Sequence, residues 1–290
     1  RHTAMRSQLK NLLRIKSGDT KLSELHRECL YDYYQTRKLE NPLVTKVSVR
    51  NEQATVNAMF KYAYRKSHIP FEKMNFRKIK IGKDEIGRRD TFTLPEYERL
   101  IKFMRQYVSK KHCPNNEERQ ERLIMRDYVL LSANCLARVG EIRQMRWSDV
   151  IEYKTLQDSK GDEIDVVKLR VRKETSKVRE ERIITCRGAE YVRRLSKNTL
   201  YRDDNDFLFT LNGNKDEHDK TITDRQWHKH WYAMMDGIGF GHNGETMKNI
   251  DGEDVPIETH RMRKLEWYSL RHFGIGMRIH AGVNLVDLKQ

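Results

Sequence analysis

The apolar spacing of this chain breaks once, between Phe76 and Arg89, and that break constrains the fold more than any other feature. The run Arg77-Lys78-Ile79-Lys80-Ile81-Gly82-Lys83-Asp84-Glu85-Ile86-Gly87-Arg88-Arg89 carries no helical stripe and two glycines. Dense charge and glycine mark a linker between separately folding parts. Just beyond it, Thr93, Pro95 and Glu96 stand where a helix takes its N-cap, its first-turn proline and its capping acid. A chain of 290 residues is long enough for two ordinary domains. The boundary is expected near residue 88, giving residues 1–87, with the linker from about 76, and residues 88–290.

Before the break, two apolar stripes recur at three- and four-residue steps: Leu22, Leu25, Cys29 and Tyr33, then Val49, Val56, Met59, Phe60 and Ala63. Both predict amphipathic helices of a small bundle. The second carries Lys61, Arg65 and Lys66 among Tyr62 and Tyr64 before Ile69-Pro70, an outward face of cations and rings suited to a phosphate backbone. Solvated lysines explain the same pattern. After the break, residues 97–108 and 122–136 predict helices, the latter buried. Val166–Val171 and Arg182–Thr185 alternate as a β-hairpin around a polar tip, and helical spacing returns at 189–195, 224–235 and 265–280. The predicted class is mainly α with a small antiparallel β-sheet.

Lysine and arginine number 57 against 42 acids, a formal excess of 15 positive charges. Residues 1–87 hold 19 basic and 9 acidic side chains, so the excess is densest there. Such an excess suits a polyanionic partner, although it also serves solubility. No run approaches the roughly 20 apolar residues of a membrane span, and the start lacks a signal-peptide core; the expectation is a cytoplasmic, nucleoid-associated protein with no membrane partner. Cys29, Cys113, Cys135 and Cys186 lie far apart and form no C-x-x-C pair, so neither a metal site nor a disulfide framework is expected.

Three groups of residues could carry chemistry. Arg138 is followed three residues later by Glu141 and then by Met145-Arg146-Trp147-Ser148-Asp149. An acid so placed can orient the guanidinium and leave its other donors for a phosphate, though the pair also fits a surface salt bridge. Lys173-Glu174-Thr175-Ser176-Lys177 falls at the hairpin tip, from which an ammonium could protonate a leaving oxygen, or which could be a solvated turn. Tyr268 and Arg271, in Trp267-Tyr268-Ser269-Leu270-Arg271-His272, share a helical face on which a hydroxyl and a guanidinium could meet one phosphate. An interior tyrosine beside an ion-paired arginine is the alternative.

In order and separation these pieces resemble the tyrosine recombinases, and within them the phage and genomic-island integrases. That family's first box, Arg-x-x-Glu followed by Leu-Arg-Trp-x-Asp, is matched by Arg138 to Asp149 with Met145 in the Leu place. Its hairpin lysine is matched by Lys177, with Lys173 as the second candidate. Its His-x-x-Arg-His box is matched by Tyr268 to His272 with tyrosine in the first place. Leu136 stands where the family commonly has glycine, which is expected to be a packing variation.

The resemblance implies an all-helical core-binding domain and a catalytic domain forming a clamp on DNA. It implies integration or excision of a mobile element by strand cleavage and rejoining through a 3'-phosphotyrosyl intermediate, with no metal or nucleotide cofactor. Arg138, Lys177, Tyr268 and Arg271 would be catalytic and Glu141 orienting; Lys61, Arg65 and Lys66 would contact DNA. The partners implied are duplex attachment sites, further copies in a tetrameric synapse, and DNA-bending or directionality factors. In that family a third box and the nucleophilic tyrosine follow the segment matched by residues 281–288. No tyrosine here occupies the nucleophile's slot, so the expectation is that this segment lies outside the 290 residues and that they do not cleave by themselves. A non-catalytic DNA-binding regulator and a type IB topoisomerase are the alternatives.

Overall fold

The computed structural model describes residues 2–82, 90–157, 160–211, 222–240, 247–250, 253–256 and 265–284, the two short segments 247–250 and 253–256 by their backbone. It divides into two compact units, Arg1–Arg88 and Arg89–Gln290.

The first unit is built from α1 (His2–Ile15), α2 (Tyr33–Glu40) and α3 (Lys46–Arg65). Helix α3 starts at Thr45, whose hydroxyl accepts the Ser48 amide at 3.1 Å, and buries Val49, Val56 and Phe60 as its stripe predicts. It stops at Arg65 because Ser67 turns into the left-handed region at φ 57°, before Ile69-Pro70 is reached. The three helices are tied by buried Glu52 on α3. Its carboxylate accepts from Arg37 Nε at 2.8 Å, the Tyr33 hydroxyl at 3.0 Å and Asn11 Nδ2 at 2.8 Å. Burial works against the charged form of Glu52, but these donors outweigh it and hold the carboxyl below its ordinary range.

The helix expected through Leu22, Leu25, Cys29 and Tyr33 does not form. A 3-10 turn, Leu22–Glu24, leads into successive turns closed by Cys29 N–His26 O at 3.1 Å and Tyr31 N–Glu28 O at 2.9 Å, and α2 begins only at Tyr33. Turns that bond every third residue point side chains inward at the same spacing as a helix, and Leu25, Cys29 and Tyr33 do pack on the core. The segment meant to leave this unit stays on it for several residues: Asn75 and Arg77 donate their amides to the carbonyls of Arg27 and Tyr31, and Phe76 meets Tyr33 edge-on.

The second unit opens with α4 (Leu94–Tyr107), where Glu96 accepts the Thr93 amide at 2.7 Å as its sequence predicts. Helix α5 (Asn116–Cys135) runs through the core, capped by Asn115 some six residues ahead of the expected start. Then come the short α6 (Val139–Ile142), strands β1 (Val150–Gln157), β2 (Glu163–Val171) and β3 (Arg182–Cys186), helices α7 (Ala189–Asn198) and α8 (Asp224–Gly237), the antiparallel pair β4 (Met247–Ile250) and β5 (Glu253–Pro256), and α9 (Trp267–His280). The hairpin is β2–β3, with Val171 opposite Arg182, and β1 pairs with the other edge of β2.

Helix α5 packs on α7, α8 and α9. Around Tyr128 on α5 cluster Phe209, Trp227 and Trp267, with ring centroids 4.3 to 5.1 Å from it, and such aromatic packing fixes how α8 and α9 lie on α5. All four cysteines are free, and burial pushes the Cys135 thiol up to about 11. Among the described residues no helix is long and apolar enough to cross a membrane.

Candidate active site

Helix α5 ends at Cys135, and Leu136 follows in the left-handed conformation, φ 56°. This turn releases the chain so that Arg138 becomes the residue before α6. A side chain with a Cβ is strained there, whereas glycine is not. The departure expected to be a packing variation at Leu136 is therefore a backbone constraint that leucine meets at a cost.

Glu141, on α6 and 1% exposed, is the pivot of the site. Its carboxylate accepts the Arg138 amide at 2.8 Å and Arg138 Nη1 at 2.9 Å, so one acid fixes both the backbone and the guanidinium of that arginine. It also accepts Arg182 Nη2 at 2.6 Å and Nη1 at 3.4 Å, from the first residue of β3. Burial pushes the Glu141 carboxyl up, but the bonds from Arg182 and Arg138 outweigh that and hold it below the ordinary range.

The hairpin tip is rooted on the other side by Arg172. Its Nε bonds buried Asp149 at 3.1 Å and its Nη2 the Gln144 carbonyl at 2.5 Å, while its own carbonyl accepts the amides of Thr175 and Ser176. The turn so formed brings Lys177 over α6. Lys173 is exposed on the tip and does not line the site.

Helix α9 supplies the last wall. Trp267, Leu270, Phe273 and Gly274 are buried in the core, while Tyr268, Arg271 and His272 keep part of their surface open. Tyr268 and His272 lie one turn apart with ring centroids 5.4 Å from each other. An open pocket of about 360 Å³ is lined by Arg138, Gly140, Glu141, Gln144, Thr175, Lys177, Tyr268 and His272.

Three of the four residues expected to be catalytic, Arg138, Lys177 and Tyr268, thus share one pocket with Glu141 beneath them. Arg271 adjoins it. Its Nη1 donates to the Leu136 carbonyl, and its guanidinium is lowered from its usual range by burial and by the neighbouring charges of Arg138 and Arg182, against the opposing pull of Tyr268 and Glu141. Lys61, Arg65 and Lys66 are exposed on the first unit; Lys61 pairs with Glu72 at 3.0 Å and Lys66 lies 6.0 Å from the Tyr62 ring centroid.

Sequence reasoning missed Arg182, Gln144, Thr175 and His272. His272, Thr175 and Gln144 fell inside the three motif segments but were given no role there. Arg182 presented itself as one more polar position of a strand. Among the described residues no three potential ligands group to hold a metal ion.

The fold that carries this pocket is that of the tyrosine recombinases. Solved structures with this fold include the Tn1549 transposon integrase in complex with transposon right end DNA. That likeness has TM-score 0.61 and 13% identity over 99% of this chain and 84% of that one. The XerH site-specific recombinase bound to difH substrate matches with TM-score 0.61 and 11% identity, over 99% of this chain and 70% of that one. A lambda integrase tetramer bound to a Holliday junction matches with TM-score 0.50 and 13% identity, over 93% and 62%. No protein-family model and no curated protein matches the sequence.

Proposed function

We propose that the pocket binds a phosphodiester of duplex DNA and activates it for strand cleavage and rejoining, as part of site-specific recombination. The observation that carries this reading is the meeting of Arg138, Lys177 and Tyr268, from three distant parts of the sequence, over one buried carboxylate. A protein that only grips DNA gains nothing from such convergence, which is why the regulator reading is the weaker one.

In the transition state the phosphorus gains negative charge on its non-bridging oxygens. Arg138 and Arg271 would hold these through charge-assisted bonds in a preorganised site. Lys177 would give its proton to the leaving 5' oxygen, and Tyr268 would donate a hydrogen bond. Glu141 keeps Arg138 oriented throughout. The attacking group would be a tyrosine hydroxyl other than Tyr268, whose place beside the cations suits donation better than in-line attack, and the product a 3'-phosphotyrosyl bond. The first unit, with Lys61, Arg65 and Lys66, would grip the duplex. Fold likeness to a lambda integrase tetramer on a Holliday junction supports assembly of several copies on DNA. Integration or excision of a mobile element, aided by bending or directionality factors, is the setting this reading favours.

The test uses the chain with hydrogen peroxide as a small exogenous nucleophile. Its oxygen bonds to phosphorus as the bond to the 5' oxygen breaks, with Lys177 protonating the departing oxygen. Peroxide-dependent nicking that disappears in Arg138→Ala and Arg271→Ala is the expected result. Nicking at equal rates in both variants would overturn the assignment, as would a covalent adduct at Tyr268 for the donor role of that residue.

A further inference from the structure

We infer that Arg182 is a positioning residue of this pocket, acting through Glu141 to leave Arg138 its charge and to pin the Lys177 arm. The inference rests on the phosphate-binding reading above and adds a residue that does not itself line the pocket but bonds Glu141, which does.

If Glu141 faced Arg138 alone, one carboxylate would cancel one guanidinium, and an anion entering the pocket would compete with a carboxylate for the same donors. Arg182 changes that balance. It holds Glu141 by the shorter of the two contacts, 2.6 Å against 2.9 Å, so the cluster of Arg138, Glu141 and Arg182 keeps one positive charge more than the carboxylate cancels. All of it is largely shielded from water, where an uncancelled charge acts strongly on an incoming phosphate.

Arg182 is the first residue of β3, opposite Val171, so it stands at the foot of the tip that carries Lys177. The other foot is Arg172, fastened to Asp149 and to the Gln144 carbonyl. Both feet are thereby bonded to the segment around α6 that bears Arg138. One guanidinium links the placement of the proposed proton donor to that of the proposed phosphate clamp.

The experiment measures binding of inorganic vanadate, a mimic of the pentacoordinate phosphorus, by the whole chain through vanadium-51 line broadening, with thermal melting alongside. Wild type should bind. Arg182→Ala and Arg182→Gln should weaken binding about tenfold, the effect of one charge a few ångströms behind the ligand, while Arg182→Lys restores most of it. The glutamine variant keeps a hydrogen-bond donor without the charge, so its failure separates charge from packing. Arg193→Ala, which removes an exposed ion pair with Asp165 elsewhere on the unit, should bind as wild type does. Wild type that binds, with the alanine and glutamine variants binding equally well, would overturn the role of Arg182 and leave the phosphate reading standing. Wild type that does not bind would overturn the phosphate reading and this inference with it.

Discussion

Arg271 on α9 donates from Nη1 to the backbone carbonyl of Leu136, two residues ahead of Arg138. The carbonyl is one of those left unpaired where α5 ends, so a cation there satisfies an orphan acceptor and meets the negative end of the helix dipole. Arg278, two turns further along α9, does the same for the Asn134 carbonyl at 2.5 Å. The placement of the second arginine is thus set by the end of the helix that presents the first.

The conformation of Leu136 makes a prediction with an unusual sign. At ordinary helical positions alanine is more stabilising than glycine, but at φ 56° the Cβ strain reverses the order. Leu136→Gly should be more stable than Leu136→Ala by about 1 kcal/mol in denaturant melts. The opposite ranking would mean that the left-handed turn is absent in solution.

Gly274 allows α9 to approach α5. A Cβ there would lie 2.1 Å from the Ala133 carbonyl oxygen and 2.5 Å from Leu136 Cδ2, and backbone cannot yield as a flexible side chain can. Gly274→Ala should cost about 1 to 3 kcal/mol and shift Arg271 off Leu136, weakening DNA binding as well. Unchanged melting would refute the close contact.

Much of this was legible in the sequence, and what was not failed for identifiable reasons. The stripe of α3, the capping residues of α4 and the alternation of β2 and β3 are local patterns, and local physics produced them. Leu22 to Tyr33 misled because turns bonding every third residue bury the same spacing as a helix. Strand β1 escaped because it is mostly exposed, with Ile151, Tyr153 and Leu156 all open to solvent, so it lacks a buried alternation. Helix α1 was overlooked although Met5, Leu9 and Leu12 recur at helical steps, and Leu9, Leu12 and Ile15 do pack on the core of the first unit. At the site, Arg138, Lys177 and Tyr268 stood in recognisable motifs. Arg182 did not, since its partner Glu141 is 41 residues away and only the hairpin brings them together.

Glu141 should impose a pH dependence. Its carboxyl is held low in the folded chain, so the stabilisation is present above the unfolded value of about 4.3 and is lost as pH falls through the folded value. Glu141→Gln should cost on the order of 2 kcal/mol at neutral pH, less than a fully buried pair because Arg138 and Arg182 keep some contact with water. It should also flatten the loss of stability below pH 4 or so. Parallel curves for the two proteins between neutral and acid pH would contradict this.

Duplex binding should weaken steeply with salt, because cations that meet phosphates release counterions. Arg65→Ala and Lys66→Ala should each lower the slope of log affinity against log salt by about one. Lys61→Ala should lower it less, since Lys61 must first give up Glu72. Gel shifts across a salt series measure all three, and slopes identical to wild type would remove these residues from the interface.

The most direct test of the account is methylphosphonate interference. The chain is bound to a duplex recovered from a random-sequence pool, and each phosphate of that duplex is neutralised in turn. One phosphate per bound copy should be found whose neutralisation weakens binding in wild type but has no further effect in Arg138→Ala or Arg271→Ala, because that phosphate would be the one seated in the pocket. Interference profiles that are the same in wild type and in both variants would contradict it.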